Sequence, residues 1–583
     1  MCAREAFSAG ARGIAIDAAA RRKLRAVNGT AWLGRRALAG AAFALLASAG
    51  AGPAFAHDAT PAAAPASAAA LDPGLGLLRH PVSTRNHRAQ AYFDQGLKLV
   101  FAFNHEAAIA SFERAFELDP KLAMAQWGIA LALGPNINKP MDAPAHKAAY
   151  AALQKAIALE ANASPAERDY IDALARRYSA DPNADLAPLQ LAYAKAMKEV
   201  VRRHPRDDDA AVLYAESLMD LAPWKYWTAD GKPAQDTLEI VGVLERVLAR
   251  QPNHIGANHY YIHALEASPH PERALESARR LEVLAPSAGH LVHMPAHVYI
   301  RTGNYLEAAR ANVAAVEADE RRVATGEASF YLVAYYGHNL HFLAIADAFA
   351  GRSQAAIDAA SKLYDIESPR VKEVPELDNA GFLMAKEMLL VEFARWDEIL
   401  ALPEPAFEAP IAGAMWHFAR TLALAGKGRG DQAKAERAQF ADAAATLSKT
   451  MGYGNNSAVD LAAVAVPYLD GRLALMAGDT ADAIVELRKA VAAEDRLAYN
   501  EPPDWYLPAR EPLGAALLRT RDYLAAEQVF RDELACHPAS GRALFGLQAA
   551  LAGQGRTKEA AAVQRRFRHA WRAADIRLET AAL

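Results

Sequence analysis

The chain has 583 residues, 52% of them hydrophobic and 23% charged, which suits a folded array or several domains and excludes a wholly disordered protein. Its formal charge of −4 offers no basic excess of the kind that general nucleic-acid binding needs. With two cysteines, no disulfide framework can carry the fold, so packing must.

Residues 1–56 read as an export signal. Arg21, Arg22, Lys23, Arg25, Arg35 and Arg36 precede an apolar run, 37–51, that ends at the small-residue site Ala54-Phe55-Ala56. The run is too short to span a membrane stably. Cleavage there implies a periplasmic or secreted protein beginning at His57, with no membrane span in the mature chain. It takes eight Lys/Arg and two Asp/Glu, moving the formal charge from −4 to −10. Cys2 leaves with it, so Cys536 is expected to stand alone without an intrachain disulfide. Residues 57–80, rich in Ala, Pro and Ser at their start, read as a flexible leader.

Next come repeats. From Ala89 the chain gives Tyr92-x2-Gln95-Gly96-x2-Leu99, then Ala108-x3-Phe112, Ala115 and Pro120. Small residues at two fixed positions let paired helices approach, an aromatic fills the gap, and the proline ends the second helix. The frame recurs at Ile255, Gly289 and Gly337, and again around Gly478-Asp479, Arg521-Asp522-Tyr523 and Gly555. It is interrupted by insertions at Lys225–Gln235 and Arg321–Ala334. This pattern resembles the tetratricopeptide repeat. The resemblance implies an all-α solenoid of helical hairpins in a right-handed superhelix, here 81–400 with a histidine-lined concave groove and 401–583 as C-terminal repeats. The segments Trp127–Asn136, Pro223–Trp227, the histidine stretches and Glu501–Tyr506 are similar to a bacterial group of exported, histidine-rich proteins of this type; that resemblance supplies no reaction.

The histidines carry the functional signal. Of 18 in the chain, seven fall in three short stretches: His259 and His263; His290, His293 and His297; His338 and His341. Numbered within their repeats they occupy positions 2, 5 and 9, near 170° on a wheel of about 100° per residue, whereas packing positions lie near 30°. Three consecutive first helices therefore aim their imidazoles at one stretch of groove. Glu266 and Glu216 are placed to join from the edge, and Met384 and Met388 to border the far end. His254 and His270 fall in turns and read as incidental.

Imidazole is the commonest ligand for copper, zinc and iron, and spacings of three and four let one helix donate two ligands. A divalent transition metal is the first reading, with carboxylates favouring iron or zinc. The alternative is a peptide or protein docked in the groove, which needs a lined surface and no convergence. A groove histidine with no role is the bland reading, and seven together weigh against it. Trp224, Tyr226 and Trp227 read equally as a groove cap or as packing. Pro502–Tyr506 reads as a rigid turn before a helix. No nucleophile–base pair, phosphate loop or covalent-haem motif is present, so any reaction would rest on the metal.

Overall fold

The computed structural model describes residues 70–323, 331–370, 381–405 and 409–579. The expected export signal, most of the Ala/Pro-rich stretch and part of the insertion at Arg321–Ala334 lie outside the described residues. Residues 70–80, read as the end of a flexible leader, pack on the repeats. The Asp72 amide donates to Gln95 Oε1 at 2.8 Å, Lys98 Nζ donates to the Gly76 carbonyl, and Leu75 is buried. The cause is apolar: Leu75 has a hydrophobic cluster to join, which composition alone does not reveal.

The first hairpin shows how sequence becomes architecture. Asn86 and Asn104 cap the helices His87–Phe101 and His105–Leu118, their side chains accepting from the first-turn amides of Arg88, Ala89 and Ala107. Phe112 on the second helix packs between Gly96 and Gly128, on the helices either side. A Cβ at either glycine would stand 2.5–2.6 Å from the ring. The same device recurs 418 residues on, where Phe530 sits between Gly514 and Gly546. These are the small and aromatic positions of the repeat.

Gly128→Ala therefore sets two effects against each other. Alanine gains about 1 kcal/mol of helix propensity. Forcing a methyl into a closed aromatic contact costs about 1–3 kcal/mol. With Phe112 fully buried and unable to retreat, the second effect should win, and thermal melts should show a lowered Tm; an unchanged or raised Tm would refute this packing.

Consecutive helices pair along the chain: Asp208–Met219 with Thr237–Arg250, Ile255–Leu265 with Leu275–Leu284, Gly337–Phe349 with Ser353–Glu367, Ala458–Ala477 with Thr480–Glu494, and Gly541–Gly553 with Thr557–Ala570. The only strands among the described residues are the two-residue pair Gly452–Tyr453 and Asn456–Ser457. The expected all-α solenoid of hairpins is what the structure shows. No helix among the described residues is long and apolar enough to cross a membrane.

The expectation that Cys536 stands alone turns on Cys2, which lies outside the described residues.

Candidate functional site

The helix Ile255–Leu265 is buried along its whole length. Gly256 lets it press on Phe101, whose ring lies 2.7 Å from where a Cβ would stand. It presents His259 and His263. The next first helix is split into Gly289–His293 and Pro295–Arg301. Pro295 has no N–H to continue the ladder, and the turn tightens so that the His297 amide donates to Met294 O at 3.2 Å. His290, His293 and His297 nonetheless stay on one side. His338 and His341 follow on Gly337–Phe349.

Six of these rings converge in two triads. His259, His263 and His290 form one, and His293, His297 and His338 the other; within each, one ring nitrogen from every residue lies within 4.8 Å of the others. His259 Nε2 is 3.1 Å from His290 Nε2. His293 Nε2 is 2.8 Å from His297 Nε2 and 3.1 Å from His338 Nε2. Two imidazoles bound to one ion at about 2.0–2.1 Å in tetrahedral geometry have nitrogens about 3.3 Å apart. The triads need only small adjustments to reach that spacing.

What holds the far side of each ring decides the chemistry. His259 Nδ1–H donates to the Phe101 carbonyl at 2.6 Å, His263 Nδ1–H to Glu266 Oε1 at 2.7 Å, and His293 Nδ1–H to Asn312 Oδ1 at 2.6 Å. The Asn312 amide is oriented by its own donation to Ala308 O. His297 Nδ1 stands 2.5 Å from Glu266 Oε2, at an angle too oblique for a regular hydrogen bond. A neutral imidazole has one N–H, so each such contact leaves Nε2 with its lone pair. At 2.8 Å the Nε2 atoms of His293 and His297 either share a proton or flank a cation; with both rings as Nδ1–H tautomers their lone pairs would repel until a cation stood between them.

Burial makes the rings poor bases. It holds His259, His290, His293 and His338 well below the ordinary imidazole value, and neighbouring imidazoles push the same way. Burial also lowers His263, against the pull of Glu266. For Glu266 itself burial acts upward, yet His297 and His263 prevail and hold its carboxyl below the usual range. Burial thus favours the neutral form of His259, His290, His293 and His338, the form in which imidazole ligates.

The site is interior, which departs from the expected open groove: His259, His263, His290, His293 and His297 are at most 1% exposed. The chain fills the groove itself. Phe103 packs on His259, His263 and His290, Tyr335 on His290, and Phe342 on His293 and His297. From the C-terminal repeats, Tyr499 brings its hydroxyl 3.4 Å from Glu266 Oε2.

Other expected members go elsewhere. His341 falls outside both triads, against Phe382 and Tyr506, with burial lowering its pKa to about 4. Glu216 is not in either histidine group; it sits with Asp220 and Arg177, and burial together with Asp220 raises its pKa well above the carboxylate range. Met384 and Met388 are core residues, Met384 Sδ accepting from Tyr453. Trp224 stands edge-on to His263 and donates to Ile137 O, so it is part of the wall. Tyr226 and Trp227 donate to the Met219 and Ala264 carbonyls and serve packing. Trp505 is core.

His254, read as incidental, has partners on both nitrogens: it accepts from Ala257 N–H and meets Asp209 Oδ1 at 3.2 Å. Asp209 also takes His80 at 2.8 Å, and neighbouring Asp207 accepts from Tyr170, in the wall of a cleft of about 820 Å³. Both Asp209 oxygens are engaged, so these residues form a satisfied network, unlike the triads. Sequence spacing gave no sign of it, because His80 and Asp209 are 129 residues apart.

Hairpins stacked through Gly–Phe–Gly contacts, with inward histidines on three successive first helices, make an all-α solenoid. Among solved structures, yeast Tom70 matches at 13% identity and TM-score 0.27, covering 81% of this chain and 90% of its own. The tetratricopeptide domain of P58(IPK) matches at 13% identity and TM-score 0.21, covering 81% and 99%. Superpositions this loose carry no functional inference. No family model and no curated protein matches the chain. The helical hairpins supply the scaffold, and the histidines carry the functional signal.

Proposed function

We propose that this chain is an exported tetratricopeptide-type metalloprotein whose buried histidines bind a transition metal, copper, zinc or iron. The observation that carries the reading is the 2.8 Å approach of His293 Nε2 to His297 Nε2 while Asn312 and Glu266 stand at their other nitrogens. A proton can relieve that repulsion with one bond; a metal relieves it with bonds to both rings and to His338. Outer acceptors that fix the tautomer, here a backbone carbonyl, an amide and a carboxylate, are the usual company of ligating histidines. The docking alternative needs an open histidine-lined surface, and these rings are interior, so a protein partner would have to use another face of the repeats. Export rests on the basic lead, apolar run and Ala-x-Ala site of residues 1–56.

The test is elemental analysis of the full chain purified without a histidine tag, followed by reloading of stripped protein. At least one equivalent of copper, zinc or iron per chain is expected. A chain that takes up none of the three ends the proposal. The pH dependence is a second check. Free imidazoles would release metal as pH falls through about 6.5. Because burial holds most of these rings well below that value, protons should compete only at lower pH, and dialysis at pH 6 should leave the metal bound.

A further inference from the structure

We propose that the two triads hold two metal ions at once, one each, as a binuclear centre. The inference rests on the metal reading above and goes beyond it in stoichiometry and in the ion the site favours.

The geometry divides the six rings cleanly. Every Nε2–Nε2 approach of 3.1 Å or less falls within a triad: His259 with His290, and His293 with both His297 and His338. Between triads the rings come only face to face or edge to face, with His290–His293 and His263–His297 centroids 5.9 and 5.8 Å apart. One ion cannot reach six nitrogens so arranged, because each ligand must lie at about 2.0–2.1 Å. Leaving the first triad vacant would strand a buried nitrogen, since His263 Nε2 has no hydrogen-bond partner. Glu266 ties the halves together, one oxygen on His263 of the first triad and the other against His297 of the second. A single carboxylate thus orients a ligand of each site.

Charge points to the ion. All six ligands are uncharged imidazoles when they bind a metal, and among the described residues Glu266 is the carboxylate in contact with them. Two divalent ions would bring four positive charges against one negative charge in a dry interior, whereas two monovalent ions bring two. The cost of burying uncompensated charge rises steeply with its magnitude. Copper, which imidazole binds well and which has a stable monovalent form, fits this ligand set best.

The experiment is an anaerobic titration of the stripped full chain with Cu(I) against a coloured Cu(I) chelator, with Zn(II) run in parallel. Two Cu(I) per chain are expected. His290→Ala and His338→Ala should each bind one, and the double variant none. His338 is the more accessible ring, so its variant remains informative should His290→Ala fail to fold, and circular dichroism checks each. Saturation of wild type at one Cu(I) overturns the pair while leaving the proposed function standing. Uptake of Zn(II) but not Cu(I) overturns the copper assignment. Uptake of neither overturns the pair, and refusal of iron as well overturns the proposed function with it.

Discussion

Replacing His293 by alanine is expected to weaken metal binding more than any other single histidine substitution. His293 Nε2 is the atom that approaches both other members of its triad, at 2.8 and 3.1 Å. Its ring is wholly buried on the shortened helix before Pro295, so no solvent-exposed rotamer or water replaces it easily. Loss of an outer partner of a metal ligand typically costs about 10–100-fold in affinity, and loss of the ligand itself should exceed that. Asn312→Leu provides the outer-shell comparison: it keeps the volume but removes the acceptor that fixes His293 as the Nδ1–H tautomer, and should fall within that range. His341→Ala is the control, since that ring lies outside both triads. Chelator-competition titrations of the three variants give the order. Equal losses from His293→Ala and His341→Ala would mean that the convergence of rings does not determine binding.

The ring directions were legible in the sequence because they depend on one local quantity, the angular step of a helix. Positions 2, 5 and 9 put His259, His263, His290, His293 and His297 on a common side, and the structure has them there even though Pro295 splits the middle helix. What stands opposite a face is not local. Phe103, which covers three of the rings, sits in a turn after the first helix with its backbone in the left-handed region, φ 57°. Tyr499 returns to Glu266 across 233 residues. Neither leaves a trace in the spacing around the histidines, so an interior site reads from sequence as a groove. Glu216 shows the same limit: its wheel position is right, but the buried pair Arg177–Asp220 claims it. His341 shares position 5 with His259 and His293, yet its ring packs against Phe382 and Tyr506.

Glu266→Gln is expected to break one half of the site while nearly preserving its shape. The carboxylate offers two acceptor oxygens, one to His263 Nδ1 and one to His297 Nδ1. Glutamine offers one oxygen and one NH2 group. The ring that meets the oxygen keeps its Nδ1–H and a free Nε2. The ring that meets the NH2 must turn its Nδ1 lone pair towards it, which moves its proton to Nε2 and blocks the ligating atom. Metal affinity of that triad should fall by about 10–100-fold, the usual effect of a lost outer partner, while the other triad is less affected. The missing negative charge adds to the loss, because Glu266 touches these rings and is fully buried. Two measurements separate this account from general damage to the fold. Nitrogen-15 NMR of the metal-free variant should show one of His263 and His297 in the Nε2–H tautomer, whereas both are expected as Nδ1–H in wild type. Titration should show a weakened class of sites beside one close to the wild-type affinity. If both rings keep their wild-type tautomers and binding is unchanged, Glu266 only fills space, and the carboxylate has no part in holding the centre.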